Sequence, residues 1–196
     1  MQQLEQIQTV LTSAFTGDPF MKWLFPGSEH QNNLQTWWEY ISQASSKNGF
    51  SHFDIDEENT TASIWGKPKF EKEKDSNDEG FNNFVSFLEP LVGERLPTVL
   101  QALYEVSLEH PHEPHWYLQA VGTTPNMQGK GKGAALLLPI LDICDATGLG
   151  AYLESSNPRN ISFYYRLGFE IRKELILADG QVQLTCMWRQ PKSTDY

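Results

Sequence analysis

The chain has 196 residues, 39% of them hydrophobic and 20% charged, which suits one domain with a sizeable core and excludes a disordered chain. A formal net charge of -10 argues against a nucleic-acid partner, because phosphate binding needs a basic face, and it fits a small cationic substrate such as an amine. The two cysteines, Cys144 and Cys186, have neither metal-ligand spacing nor a disulfide framework around them, so they read as small buried residues and no metal is expected.

The first segment, MQQLEQIQTV, carries neither a basic patch nor an apolar run, so it shows no signal-peptide pattern. Leu4, Ile7, Val10, Leu11, Ala14 and Phe15 recur at helical steps and predict an amphipathic helix over residues 2–15, stopped by Gly17-Asp18-Pro19. Leu34, Trp37, Trp38, Ile41 and Ala44 predict a second helix ending near Asn48-Gly49. Strands are predicted at Phe50–Ile55 and Ala62–Trp65, with the polar run Asp56–Thr60 as a hairpin loop. Residues 66–80 read as an exposed loop, and residues 81–109 as helix, broken or kinked at Pro90 and Pro97.

The second half is more regular. His115–Val121 predicts a strand, followed by a turn at Gly122–Gln128, a glycine loop, and a helix from Ala134 to Thr147. Ala151–Glu154 is a short buried strand, and Pro158 suits the first turn of a helix running to about Leu167. Gly168-Phe169 leads into a strand, Asp179-Gly180 into a tight turn, and the alternation of Val182, Leu184, Cys186 and Trp188 into a half-buried last strand. No internal repeat is visible. No apolar run is long enough to span a bilayer, so no membrane association is expected and the default location is cytoplasmic.

A strand, then Gln128-Gly129-Lys130-Gly131-Lys132-Gly133, then a helix is the physical recipe for an anion site. Glycines allow close backbone approach, and a helix N-terminus offers free N–H groups with a positive partial charge. A magnesium-nucleotide loop would need Ser or Thr after Gly-Lys, which is absent. The spacing is Gly-x-Gly-x-Gly rather than a dinucleotide fingerprint, and it falls late in the chain. A ligand-free turn is the remaining reading on this motif alone.

The loop has company. Val121-Gly122-Thr123-Thr124-Pro125 leading to Gln128–Ala134, then Tyr152-Leu153-Glu154, then Phe163-Tyr164-Tyr165-Arg166-Leu167-Gly168-Phe169-Glu170 resembles the acetyl-CoA signature of the GNAT superfamily, from Glu113 to about Trp188. Within it, Glu113-Pro114-His115-Trp116-Tyr117-Leu118 and Leu153–Asn160 look most like puromycin N-acetyltransferase and its relatives, as do Ala14-Phe15 with Asp18-Pro19 and Trp65-Gly66-Lys67-Pro68. The resemblance implies a single GNAT-like α/β domain with a mixed sheet and two central parallel strands that splay apart. Residues 1–112 would form the acceptor-side half and 113–190 the acetyl-CoA half. The first edge strand of the family has no counterpart ahead of the first helix, which bears on the sheet edge and on any homodimer contact made there.

The resemblance also assigns roles. Backbone groups around Val121, Gly122 and Thr123 would pair with the pantetheine arm, and amides from Gln128, Gly129, Lys130, Gly131, Lys132, Gly133 and Ala134 would hold the pyrophosphate. Asn160, with Asn157 as second choice, would lie near the pantetheine. Tyr164 would be the general acid for the departing thiolate, since a phenol and a thiol have comparable pKa values. Without the family pattern Tyr164 reads as a core tyrosine. Glu154 reads equally as base or as a structural carboxylate. His110, His112 and His115 read as loop and edge residues, with His115 a weaker base candidate. The expected activity is acetyl transfer from acetyl-CoA to a primary amine of a small molecule, and the aromatic-rich first half suggests an aromatic or apolar amine. Acetylation of a protein N-terminus or lysine, and a non-catalytic CoA-binding sensor, are the alternatives.

Overall fold

The structure is a computed structural model that describes residues 2–47, 49–70 and 78–192. The chain opens on α1 (Gln2–Phe15), whose Ile7, Val10 and Leu11 are buried as the three- and four-residue spacing requires. Gly17-Asp18-Pro19 ends that helix and also starts another. Asp18 caps α2 (Pro19–Leu24), its Oδ1 accepting from the Met21 amide at 3.0 Å, with Pro19 at the first helical position. Then come α3 (His30–Lys47) and the hairpin of β1 (Ser51–Ile55) and β2 (Thr61–Gly66). Of the loop expected over 66–80, residues 71–77 lie outside the described residues and 78–80 already belong to α4 (Asp78–Val92). Pro90 sits inside α4 without ending it, and Pro97 stands in the first turn of α5 (Leu96–Ser107), where a missing N–H costs no helical bond.

β3 (His115–Thr123) leads through a short 3₁₀ turn to α6 (Lys132–Thr147), which begins two residues earlier than the sequence predicts because Gly131 is its cap. Leu137, Ile140, Leu141 and Cys144 bury one face of α6, each aliphatic side chain contributing about 2 kcal/mol. Gly148, at φ 69°, closes the helix, and Leu149 N–H reaches back to the Cys144 carbonyl. β4 (Gly150–Ser155), α7 (Ile161–Arg166), β5 (Glu170–Leu177) and β6 (Val182–Arg189) complete the chain. Pro158 opens a 3₁₀ turn ahead of α7 rather than α7 itself.

The six strands form one mixed sheet in the order β1-β2-β3-β4-β6-β5. All pairs are antiparallel except β3 with β4. Residue 51–55 backbone thus forms one edge, where the family pattern has an earlier strand. Helices cover both faces. Ile7, Leu11, Leu34, Trp38, Ile64, Leu88 and Val99 belong to one core, and Trp65, Leu118, Leu137, Leu141, Leu153 and Phe169 to the other. Arg189, only 2% exposed, grips Asp145 of α6 through two 2.7 Å bonds and donates to the Leu167 carbonyl, so the second layer is tied to the sheet at its far end.

Two irregularities shape the site. β2 pairs Trp65 with Leu118 but Ile64 with Ala120, so Gln119 is an extra residue in β3, a β-bulge. Side chains change faces there: Trp116 and Leu118 join one core and Ala120 the other. The second is the parallel pair itself. It is hydrogen-bonded only from His115–Tyr117 to Gly150–Tyr152, after which β3 runs on to Thr123 and β4 to Ser155 without pairing. The expected splay is therefore present, and it opens a wedge in the middle of the sheet.

Candidate active site

The wedge is floored by the glycine loop. Gly129 and Gly131 have φ of 75° and 78°, a region only glycine enters freely, and open space lies in front of both. The 16-residue helix α6 starts immediately after, and its first amides face this exposed loop. Gln128 Nε2 donates to the Thr123 carbonyl at 3.0 Å, pinning the loop to the end of β3. Gly133 lies against Phe163 of α7 and beside Thr123. A concave, glycine-lined helix N-terminus beside unpaired strand backbone is what a CoA pyrophosphate and its pantetheine arm require, so the residues present fit the co-substrate.

Two of the expected site residues, Lys132 and Gly122, also make structural contacts. Lys132 is not poised in solution: its Nζ is 2.7 Å from Asp56 and 3.2 Å from Glu58, linking α6 to the β1–β2 hairpin. Burial raises the pKa of Asp56, but bonds from Lys132 and from the Thr60 and Thr61 amides outweigh it and hold the carboxyl well below the usual range. Lys130 remains the exposed cation, its Nζ 3.3 Å from Met127 Sδ. Gly122 owes its missing side chain to packing, since a Cβ there would lie 2.6 Å from that of Ala14 in α1.

On the α1 side of the wedge lies a cavity of about 180 Å³. Its walls are apolar, with Phe15, Phe20, Trp37, Trp38, Ile41 and Val106 among them, and its polar groups are Asp18, Gln119, Glu154, Ser156 and Tyr117. The lining thus draws on both halves of the chain. Asp18 is the residue sequence reading missed. It caps α2, and Ser156 donates a short hydrogen bond to it from the end of β4. Burial raises its pKa, against the opposing pull of Ser156 and the Met21 amide. A caps-type Asp-Pro pair directly after an amphipathic helix was the available signal, but its sequence distance of 138 residues from Ser156 gave no hint of the pairing.

Glu154 stands at the inner end of this cavity, its side chain only 9% exposed. His110 Nε2 is 3.0 Å from its Oε1, within ion-pair distance but out of hydrogen-bond alignment, so that Oε1 is left without a hydrogen bond. The His110 ring lies 4.5 Å from that of Tyr117 and 5.0 Å from that of Tyr152. Burial and then the Glu154 charge push both phenols up, so they stay protonated around the carboxylate. His115, the weaker base candidate, is held below the usual histidine range by burial, and its Nδ1 is 2.7 Å from the Glu113 carbonyl oxygen. The two cysteines are buried and free, and no metal-binding group of three or more His, Cys, Asp or Glu occurs among the described residues.

Tyr164 of α7 is buried in the core that contains Leu137, Leu141 and Leu153. It is 7% exposed, with Phe163 and Phe169 rings at 5.0 and 5.9 Å. Burial, then the charge of Asp18, raises its pKa well above the ordinary phenol value, so it holds its proton at neutral pH. Of the two asparagines, Asn157 spends its side-chain oxygen on the Arg159 amide at 3.1 Å, capping the 3₁₀ turn, while Asn160 is exposed.

Residues 22–169 match the model of the acetyltransferase (GNAT) family. An uncharacterized N-acetyltransferase of Schizosaccharomyces pombe is 28% identical over 173 residues, which is 87% of this chain and 56% of that protein, so the chain spans little more than half of its relative. Among solved structures, histone acetyltransferase HPA2 and related acetyltransferase from Corynebacterium glutamicum superposes with a TM-score of 0.70 at 22% identity, covering 100% of this chain and 95% of that one. Arylalkylamine N-acetyltransferase 2 from Aedes aegypti gives 0.65 at 13% identity over 97% and 95%. The PaiA N-acetyltransferase of Thermoplasma acidophilum, solved with coenzyme A, gives 0.54 at 14% over 96% and 93%. The family model covers most of the chain, including the splayed strands and the glycine-capped helix: the chain belongs to the acetyltransferase (GNAT) family.

Proposed function

We propose that the chain moves an acetyl group from acetyl-CoA to the primary amine of a small molecule by direct transfer. The observation that carries this reading is the cavity itself: apolar aromatic walls, about 180 Å³, and two half-buried carboxylates, Asp18 and Glu154, in its lining. An apolar body with one ammonium group satisfies both features, whereas an extended peptide needs an open groove.

Amides of the Gln128–Ala134 loop hold the pyrophosphate at the N-terminus of α6, with Lys130 adding charge. Backbone groups from Val121 to Thr123, freed by the splay, pair with the pantetheine arm, and an N–H there stabilises negative charge developing on the carbonyl oxygen. Asn160 is the side chain left to reach that arm. Bound acetyl-CoA supplies the thioester. Asp18 and Glu154 orient the ammonium, and Glu154 takes its proton so that the nitrogen lone pair can attack. Tyr164 returns a proton to the departing sulfur from the other side of the wedge. The acceptor and the donor thus enter from opposite faces and meet only at the splay.

The test is thiol release from acetyl-CoA with a panel of amines: 2-phenylethylamine, tryptamine, puromycin, spermidine, and peptides with free N-termini or lysines. Aromatic or apolar primary amines should be preferred. Turnover with peptides alone would overturn the small-molecule reading, and acetyl-CoA binding without turnover on any acceptor would point to a sensor.

A further inference from the structure

The acceptor cavity has a second, larger neighbour. A cavity of about 500 Å³ lies at the start of β3, lined by Gly66, Lys67, His110, His112, His115 and Tyr117 among others. Tyr117 lines both cavities. Glu154 belongs to the inner one and His110 to the outer, and the two residues meet at 3.0 Å. The buried base of the proposed reaction therefore touches, through one imidazole, a space outside the acceptor pocket.

We propose that His110 is the exit for the proton that Glu154 takes from the acceptor, a positioning residue that recharges the base without touching substrate. This rests on the reading of Glu154 as base. An acceptor seated in an apolar 180 Å³ pocket seals Glu154 from water on its own side. The proton must leave before the next turnover, and the His110 ring, itself 35% exposed, is the polar group at hand. In the first step an N–H bond of the ammonium breaks, its electron pair stays on nitrogen, and the proton bonds to a Glu154 oxygen. In the second, that O–H proton passes to His110 Nε2 while Nδ1 releases its own proton to water in the outer cavity. One proton moves from acceptor to water, and nothing is oxidised.

The surroundings suit a relay rather than a fixed charge. His110 is faced by Tyr117 and His115 from β3 and by Tyr152 and Glu154 from β4. Cys186 of β6 lies behind Tyr152, and the adjacent Glu109 is paired with Lys173 of β5. With Glu109 neutralised by Lys173, and both phenols held protonated, Glu154 is the one unpaired anion facing the imidazole among these groups. A ring rotation brings Nε2 into line with Oε1.

The experiment measures thiol release with 2-phenylethylamine for wild type, His110→Ala, His110→Gln and Glu154→Gln. The relay predicts that kcat falls ~10- to 100-fold in both His110 variants, with the KM for acetyl-CoA unchanged. Added imidazole should restore His110→Ala, because the vacated site opens on the outer cavity, and should not restore His110→Gln, whose amide keeps a hydrogen bond but cannot pass a proton. Wild-type kcat in His110→Gln, or a His110→Ala enzyme indifferent to imidazole, would overturn the relay. If His110→Ala does not fold, His110→Gln decides: a lowered kcat with an enlarged solvent deuterium isotope effect supports the relay, and wild-type values of both overturn it. Glu154→Gln separates the two claims, since wild-type turnover there removes Glu154 as base, and with it the relay.

Discussion

Replacing Tyr164 by phenylalanine removes one oxygen and leaves the ring where Phe163 and Phe169 hold it, at 5.0 and 5.9 Å. Stability should therefore change by no more than about 1 kcal/mol. The chemical step is another matter. The thiolate leaving acetyl-CoA would have to draw its proton from water, and general acid catalysis is worth ~10²–10⁴-fold, or about 2.7–5.4 kcal/mol of barrier. The expected outcome is a fall in kcat of that size with acetyl-CoA affinity unchanged, the mark of an interaction made in the transition state alone. Burial and the Asp18 charge both raise the phenol pKa, so the donor form is fully populated below the ordinary value of ~10. The wild-type to mutant ratio should then stay flat from about pH 6 to pH 9, and shrink with an acyl donor whose leaving thiol is more acidic. Single-turnover rapid-quench measurements make chemistry limiting. A folded Tyr164→Phe enzyme with near wild-type kcat under those conditions would return Tyr164 to a packing role.

Gly131→Asp should abolish acetyl-CoA binding by calorimetry while the protein stays folded, because a Cβ at φ of 78° strains the loop locally, with open space around it, and the new carboxylate repels phosphate. Unchanged affinity would remove the loop as the pyrophosphate site. Asp18→Asn should raise the KM for an amine acceptor far more than that for acetyl-CoA, since Asp18 lines the acceptor cavity; equal effects on both would deny it that role. Asp145→Ala should cost about 3 kcal/mol and lower Tm by about 10 °C, because it strands a guanidinium that is 2% exposed. Bonds from Arg189, opposed by burial, hold the Asp145 carboxyl below its usual range. Its contribution is thus complete above pH ~4 and lost as pH falls through the folded value, so urea melts should show a shallower acid-side loss in the variant.

The element order was largely legible, because local rules govern it. Leu137, Ile140, Leu141 and Cys144 at helical spacing announce α6, and glycines at 129, 131 and 133 announce the loop before it. What local rules cannot carry is a pairing between distant residues. Asp18 read as a helix stop, and became a cavity carboxylate only when β4 brought Ser156 to it. Lys132 read only as a member of the glycine loop, and Asp56 claimed its ammonium across the hairpin. His110 read as a loop residue, and the turn into β3 set its ring on Glu154. The bulge at Gln119 left no mark on the alternation of apolar residues, since it is a mismatch between two strands and belongs to neither alone.

By itself the sequence determined most of the helices and strands, where the glycine loop lies, and which family pattern the second half follows. Those depend on periodicity, capping and backbone freedom within a few residues. Only the tertiary structure decided which carboxylates share one cavity, which loop lysine stays exposed, and where β3 and β4 part. These depend on the packing of α1, α6 and α7 against a twisted sheet. Contacts such as Ser156 with Asp18 and Lys132 with Asp56 join residues tens of positions apart, so their partners are chosen by the fold and not by the neighbours in the chain.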